Sequence, residues 1–440
     1  MKKKIILMLS FVMLCSLLSG CGETKKITVT WALFNLKGDQ QVYLDALNEV
    51  MEEKGLPYQI QFANVSIPFE GDYETYVNAY IEEIEKGDFD IITCPGVQNC
   101  YDTYKMIADK GLLVPWDNFL KNGGTGQKLK TAYPSPTWEA VKYDGVVYGV
   151  PTLITGLNYY AVFNVDYAEK YGIDLSTVRF SDLDEILHKA AEGEFGEGNQ
   201  TFVPSTPWQH FWREGYEGSP CEMVYIHGPQ GKWAAEYSYS EEAAENLIKN
   251  SFSMPSAIRL QAVEFPEFNL KFKGNGYKVG VGAKSEHKEE AMEAVAAIYS
   301  DADLSNALVY GKEGESYYIE NGLAFPMGDY MLAEMKQQIS FGNPFLTMPS
   351  YKDSSNKKEE LWKLIEESEL SGLLGVTFDL EGIDETVSRL NVLLLEQYSD
   401  LLLGKSADVE GDLKALTEEA NALGLETVLA EWNRQLEELQ

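Results

Sequence analysis

The first 115 residues alternate strand and helix three times, and no other feature narrows the fold so far. Ile27–Phe34 is rich in β-branched and aromatic residues and reads as a first strand. Within Gly38–Lys54, Val42, Leu44, Leu47, Val50 and Met51 recur at close to helical spacing, and Gly55 follows as a stop. Tyr58–Phe62 alternates as a second strand, and Tyr73–Lys86 reads as a helix ended by Gly87. Asp88–Thr93 is a short buried strand, and Tyr101–Lys110 a third helix. Such an order calls for a mostly parallel sheet with helices on both faces, so the fold class expected is α/β.

Further along, Gly145–Pro151 and Tyr159–Phe163 read as strands. Ser181 is placed to cap a helix running to Ala191, with Asp182 and Asp184 in its first turn. Residues 192–200 form a loop, and Phe202–Tyr239 reads as irregular chain holding three Trp and four Tyr. Lys278–Ala283 is a glycine-broken strand leading into a helix at Lys288–Tyr299. Asn356–Glu369 and Ile383–Leu403 are helical. Asp412–Leu439 reads as one amphipathic helix with Leu413, Leu416, Ala420, Leu423, Val428, Leu429, Trp432 and Leu436 near one face and Gly424 as an interior weak point.

The N-terminus speaks to compartment. Lys2, Lys3 and Lys4 precede a 14-residue apolar run, Ile5–Leu18, too short for a comfortable membrane span. Leu18, Ser19, Gly20 and Cys21 close it in a pattern that resembles the lipobox of bacterial lipoproteins. The resemblance implies cleavage before Cys21, acylation of Cys21, a lipid-anchored tether at 21–26, and a folded part outside the cytoplasmic membrane. A plain secretion signal and an uncleaved helix are the alternatives. Loss of the three lysines would take the net charge from −33 to −36. So acidic a chain lacks the basic footprint that nucleic acid or anionic headgroups require. Cys94 and Cys100 lie six apart across Pro95 and Gly96. An oxidising compartment permits their disulfide, but two free thiols are the favoured reading because spacing sets no connectivity.

Several chemistries lack their motifs. The four His, at 188, 210, 227 and 287, form no His-Glu-x-x-His zinc motif. Gly274, Gly276, Gly280 and Gly282 miss the dinucleotide fingerprint because its third glycine would fall on Val279. The acids of Asp379–Glu385 have the wrong spacing for a calcium loop. No catalytic residue, metal or cofactor is expected.

The aromatic content, 12% of residues with 26 Tyr and 8 Trp, is the positive signal. A sugar offers apolar C–H faces to aromatic planes and hydroxyls to Asp, Glu, Asn and Gln. Trp31, Phe34 and Asn35 stand where the first strand leaves its sheet, and open α/β sheets bind ligands beyond the carboxyl ends of strands. Trp208, Trp212 and Trp233 crowd together with Tyr216, Tyr225 and Tyr237. Trp116 and Trp432 read as core.

Longer segments carry a family resemblance. Tyr143–Pro151, Ala108–Leu120 and Tyr160–Asp174 resemble segments of the extracellular solute-binding proteins of carbohydrate ABC importers, family 1 type. Gly311–Tyr317 and Ala422–Gln435 are similar to segments of the LplA/LipO-like lipoproteins of Firmicutes. The resemblance implies a two-lobed periplasmic-binding-protein-like fold with a multi-segment hinge and C-terminal helices. Lobe one would comprise 27–150 and 278–325, and lobe two 151–277 and 326–440. Crossings are expected near 149–155, 274–280 and 322–328, where Gly and Pro cluster. The implied function is capture of a sugar or oligosaccharide by a monomer, held at the membrane through its lipid alone, and delivery to ABC transporter permease subunits without catalysis. Candidate ligand-binding residues are Trp31, Phe34, Asn35, Gln98, Asn99, Tyr159, Trp208, Trp212 and Trp233, with Glu313 and Tyr317 carried over from the similar motif. Residues 195–260 match no family pattern, so the sugar itself is not implied. A receptor for peptides or another polar solute and a surface glycan-processing enzyme are the alternatives.

Overall fold

The computed structural model describes residues 26–35, 40–68, 73–98, 101–152, 154, 156–179, 233–251, 257–274, 276–327, 341–372, 378–398, 401, 406 and 408–438. The leader with Cys21, the expected helix at 181–191 and loop at 192–200, and Asn99, Cys100, Trp208 and Trp212 lie outside them.

Five strands form the main sheet. They are β1 (Ile27–Phe34), β2 (Tyr58–Val65), β3 (Ile91–Cys94), β4 (Gly149–Pro151) and a returning strand Lys278–Val281, called β8 below, in the order β2-β1-β3-β8-β4. β1 pairs parallel with β2 and β3, while β8 runs antiparallel between β3 and β4. The helices between the first strands are α1 (Gln41–Glu53), α2 (Tyr73–Lys86) and α3 (Thr103–Asp109).

The alternation of β1 explains why both faces are covered. Val29, Trp31 and Leu33 point into one apolar layer with Leu47 and Met51 of α1 and Ala294, Val295 and Ile298 of a later helix. Ala32 and Phe34 point into the other, with Val77, Tyr80, Ile81 and Ile84 of α2 and Tyr104 and Ile107 of α3. A strand buried on both faces needs such a near-continuous apolar run, which Trp31–Phe34 supplies.

A second, three-stranded antiparallel sheet has the order β6-β5-β7: β5 is Asn158–Asn164, β6 Trp233–Ser238 and β7 Leu260–Glu264. Trp233 and Tyr237 therefore lie on a regular strand rather than irregular chain, with Trp233 paired to Phe163 and Tyr237 to Tyr159. Helix α4 (Glu241–Ser251) packs on this sheet through Ala244 and Ile248.

After β8 come α5 (Lys288–Ser300), α6 (Ala302–Tyr310) and a hairpin of β9 (Tyr317–Glu320) and β10 (Leu323–Pro326). Phe341, Phe345, Leu361 and Ile365, the last two on α7 (Lys357–Glu367), join the first apolar layer beside Tyr133 and Trp138. This stretch, assigned by the sequence boundaries to lobe two, thus packs on the five-stranded unit.

The C-terminal region differs from expectation at Gly424, and the α-helix expected over Ile383–Leu403 gives way to a π-helical turn at Leu393–Gln397. The single helix expected over Asp412–Leu439 is two, α9 (Val409–Leu423) and α10 (Leu425–Glu438), divided by Gly424. Gly424 adopts φ 112° as the left-handed cap of α9, a conformation open to Gly at little cost. Val428 and Trp432 then pack on Ile383 and Val387 of α8 (Asp384–Val392), while Leu416 and Ala420 join Leu393 and Leu401. Among the described residues no helix is long and apolar enough to cross a membrane.

Candidate functional site

Topology gathers five chain ends on one edge of the main sheet. The parallel strands β1, β2 and β3 deliver Asn35, Val65 and Cys94 there, antiparallel β8 begins there at Lys278, and β4 ends there at Pro151. This carboxyl edge is where open α/β sheets bind their ligands. From it the chain passes to the three-stranded sheet between Pro151 and Asn158 and returns between Glu264 and Lys278. The two crossings are bonded to each other. The Thr152 N–H donates to the Tyr277 carbonyl at 2.9 Å and the Leu270 N–H to the Leu157 carbonyl at 2.8 Å. A third segment runs beside them, for Phe272 donates to the Glu369 carbonyl and Ser371 donates to that of Phe272. At Gly156 a Cβ would lie 2.1 Å from the Ser238 backbone, so only glycine lets the first crossing run so close to the end of β6.

Asn35 organises the edge. It sits at φ 47°, a left-handed conformation that Asn tolerates better than most residues. Its N–H donates to the Val65 carbonyl at 3.1 Å, its Nδ2 to the Ile67 carbonyl at 3.1 Å, and its Oδ1 accepts from the Ile67 N–H at 2.6 Å. Nδ2 also bonds the Tyr76 hydroxyl. The side chain thereby latches the loop after β2 to the end of β1 and the start of α2. Phe34 packs edge-on against Tyr76 and Tyr80 at 5.4 and 4.6 Å. Beyond the latch a groove of about 640 Å³ runs between β2 and α2, lined by Asn64, Ser66, Ile67, Thr75, Tyr76 and Glu82 among others.

Tyrosines converge behind this latch. Tyr80 donates to the Thr93 carbonyl at 2.6 Å, and burial pushes its hydroxyl well above the usual range, with Cys94 and Tyr277 adding to the effect. Burial also raises Tyr277, and the nearby Tyr76 raises it further. These hydroxyls stay protonated at neutral pH and can both donate and accept. Burial likewise drives the Cys94 thiol far up, so Cys94 is an inert free thiol.

The structure treats the other candidates differently. Trp31 is fully buried, its Nε1 donating to Thr93 Oγ1 at 3.0 Å and its ring edge-on to Phe62 at 5.8 Å. It underlies the edge rather than lining it, because β1 is covered on both faces. Tyr159 is also enclosed, in a box with Tyr237, Phe265 and Phe268 at 5.2, 6.5 and 5.7 Å. Gln98 lies in the short strand Val97–Gln98 just past β3. Glu313 and Tyr317 stand apart from the carboxyl edge in the turn after α6. There Gly314 donates to the Tyr317 carbonyl at 2.8 Å, Ser316 Oγ donates to that of Tyr310 at 2.6 Å, and Lys312 bridges to Glu49. Those bonds make Gly311–Tyr317 a structural turn feeding the β9–β10 hairpin.

Known proteins fit this geometry. A family described as Domain of unknown function (DUF3502) matches residues 372–440. No curated protein matches the sequence. Among solved structures, the N-glycan transport solute binding protein NgtS of Streptococcus pneumoniae is similar over 94% of this chain and 99% of its own, with TM-score 0.64 and 18% identity. Its structure in complex with Man1GlcNAc covers the same shares at TM-score 0.60 and 19% identity. An HMO binding, ABC-transporter associated solute binding protein from Bifidobacterium longum infantis covers 93% and 98% at TM-score 0.53 and 11% identity. The chain has the solute-binding-protein fold.

Open α/β sheets bind ligands at this carboxyl edge, and only part of its lining can be read from the sequence. Phe34 and Asn35 were visible from strand position. Tyr76, Tyr277 and Lys278 were not, because a helix start and a returning strand distant in sequence bring them there. The signal available for Lys278 was a lysine opening an otherwise apolar strand, Lys278–Val281, all four residues of which are buried.

Proposed function

We propose that this chain is a lipid-anchored, extracytoplasmic receptor that captures a sugar or oligosaccharide between two lobes and hands it to the permease of an ABC importer, without catalysis. The lobes are centred on the two sheets, and the three adjacent segments, the middle one bonded to each of the others, act as the hinge. Closure of one lobe on the other around the solute is the conformational signal, and the acyl chains at Cys21 hold the receptor near its transporter. What carries the reading is the carboxyl edge. Asn35 fixes a loop beside Tyr76 there, a groove adjoins it, and both crossings leave from it. Neutral hydroxyls and amides over aromatic faces suit a saccharide better than an ion. Glycan complexes among proteins of the same fold support the solute class.

The test is a thermal-shift screen of the protein from Cys21 onward, against saccharides, peptides and small polar solutes. A saccharide at 100 times its Kd should add about 2.7 kcal/mol of stability. Stabilisation by peptides with none by any saccharide would overturn the sugar assignment, and glycoside turnover by the purified protein would overturn the absence of catalysis. Metabolic labelling with a radioactive fatty acid, lost on Cys21→Ala, checks the anchor.

A further inference from the structure

Two lysines and one carboxylate are buried together at the carboxyl edge. Lys278 is 3% exposed, Lys105 8% and Asp102 6%. Asp102 caps α3 by accepting from the Lys105 N–H at 3.3 Å, and its other oxygen lies 3.7 Å from Lys105 Nζ. Its charge is thus engaged with Lys105. Lys278 has neither an ion pair nor a hydrogen bond among the described residues. Its ammonium lies 5.3 Å from the centroid of the Tyr104 ring, and its strand neighbours are Cys94 and Pro151. Burial holds both ammonium groups below their ordinary range, opposed in each case by Asp102.

This arrangement is costly as structure alone. A charge so nearly enclosed and without an ion pair is unfavourable in a core, and a residue such as Met would fill the space beside Tyr104 at less expense. The aromatic ring compensates only in part. Asp102 is the carboxylate that acts on Lys278, and it is shared with Lys105, on which Asp109 also acts. The cluster stands where β3 and β4 end, where β8 begins and where the crossings leave, next to Tyr277.

We infer that Lys278, with Lys105 and Asp102 behind it, forms a subsite for a carboxylate carried by the solute, so that the receptor takes uronate-bearing oligosaccharides. The inference rests on the sugar-receptor reading and sharpens its substrate class. A carboxylate arriving at closure supplies the counter-charge that Lys278 lacks, inside a site that closure dries and strengthens. The chain's overall negative field slows the approach of such a solute, so selectivity comes from this buried contact rather than from steering.

Calorimetry decides it with three probes: short oligosaccharides of galacturonate, mannuronate and glucuronate, the same oligomers with their carboxyls reduced to alcohols, and unrelated neutral oligosaccharides. At least one acidic oligomer should bind and its reduced form should bind about 30-fold or more weakly. Lys278→Met should lose that preference, and Lys278→Arg should retain part of it. Should Lys278→Met fail to fold, the wild-type contrast between acidic and reduced oligomers still decides. Neutral oligosaccharides binding while every uronate is refused would overturn the inference and leave the sugar receptor standing, as would Lys278→Met binding uronates like wild type. A folded protein that binds no saccharide of any kind would overturn both.

Discussion

The two sheet units are held in contrasting ways. The five-stranded sheet lies between two apolar layers, one containing Trp31, Leu47, Val279, Val295 and Ile298, the other Phe34, Tyr80, Ile81 and Tyr104. The three-stranded sheet has a smaller cluster among the described residues, Tyr160, Val162, Ala244, Ile248 and Ala262. Leu157, Tyr239 and Leu270, which flank its strands, reach the first apolar layer, and polar bonds add to that tie. Asp353 accepts from the Tyr239 hydroxyl at 2.9 Å, from Ser350 N–H and Oγ at 2.8 and 2.7 Å, and from Lys357 Nζ at 3.2 Å. Asn246 and Asn250 of α4 donate to the carbonyls of Asp353 and Tyr351 at 2.8 and 2.7 Å. Apolar layers resist opening as a body, whereas a few directional bonds can be exchanged for others. The contrast suits the proposed receptor, whose larger half would position the solute and whose smaller half would move.

The largest effect should come from the first unit. Trp31→Ala removes a fully enclosed indole, together with the partner of Thr93, and should cost about 3–5 kcal/mol in urea unfolding. Far-UV circular dichroism should show the whole chain unfolding at lower urea. A variant that kept its stability and lost only solute affinity would place Trp31 in the site rather than beneath it, and the contrast would have to be redrawn.

Asp353→Asn should rank next, at about 3 kcal/mol, because the Lys357 ammonium, its side chain 7% exposed, is left without its counter-charge. Hydrogen exchange should localise the loss to β5, β6, β7 and α4. The same residue predicts an acid limb. Burial by itself would raise the Asp353 carboxyl, but Lys357 and the two Ser350 bonds outweigh it and hold its pKa below the ordinary value. A carboxyl depressed in the folded state stabilises above its unfolded pKa of about 3.9, and that stability is lost as pH falls through the folded value. Below about pH 4 the exchange of the three-stranded unit should therefore quicken before that of the five-stranded one. Uniform loss across both sheets would show that they open as one body.

How far this was legible in the sequence follows the same division. The β-α-β-α-β-α order and the helix over Tyr73–Lys86 could be read because the first three strands pair within one short stretch of chain and each helix has one apolar face. The antiparallel entry of β8 between β3 and β4 depends on a partner almost 200 residues away, which periodicity cannot supply. The full burial of Trp31 could not be read for a related reason. Alternation says that Trp31 and Phe34 face opposite sides of β1, but only the helices packed on each side say that both sides are covered. Gly424 appeared as a weak point inside one helix, and only its φ of 112° reveals a cap between two. The position of Asn35 at the strand end could be read, though the bonds that make it a latch depend on Ile67 and Tyr76, which no spacing rule links to it.

Asn35→Ala tests that latch at a smaller scale. It should cost about 1–3 kcal/mol, since the Ile67 N–H and carbonyl lose their partner in a half-buried place. Solute affinity should fall more than this loss explains, because the loop lining the groove is freed while the cores of both units remain intact. Equal exchange rates for residues 65–68 in variant and wild type would mean that the loop is held by something other than Asn35.

The smallest change compares the units most directly. Ile298→Val in the first unit and Ile248→Val in the second each delete one methylene from a buried isoleucine, 0% and 4% exposed. The local cost should be similar, about 0.5–1.5 kcal/mol, since transfer and cavity terms depend on the same group. The outcome should still differ. In the five-stranded unit the loss is shared by a continuous core and should appear only in global unfolding. In the three-stranded unit the same loss falls on a small cluster and should raise the exchange of β5 and β7 amides by about tenfold with little change in the urea midpoint of the whole protein. If the two substitutions gave the same exchange pattern, the smaller sheet would not be a separately opening element. A hinge driven by the solute would then have to bend within the bonded crossings alone, with both sheets carried as rigid plates.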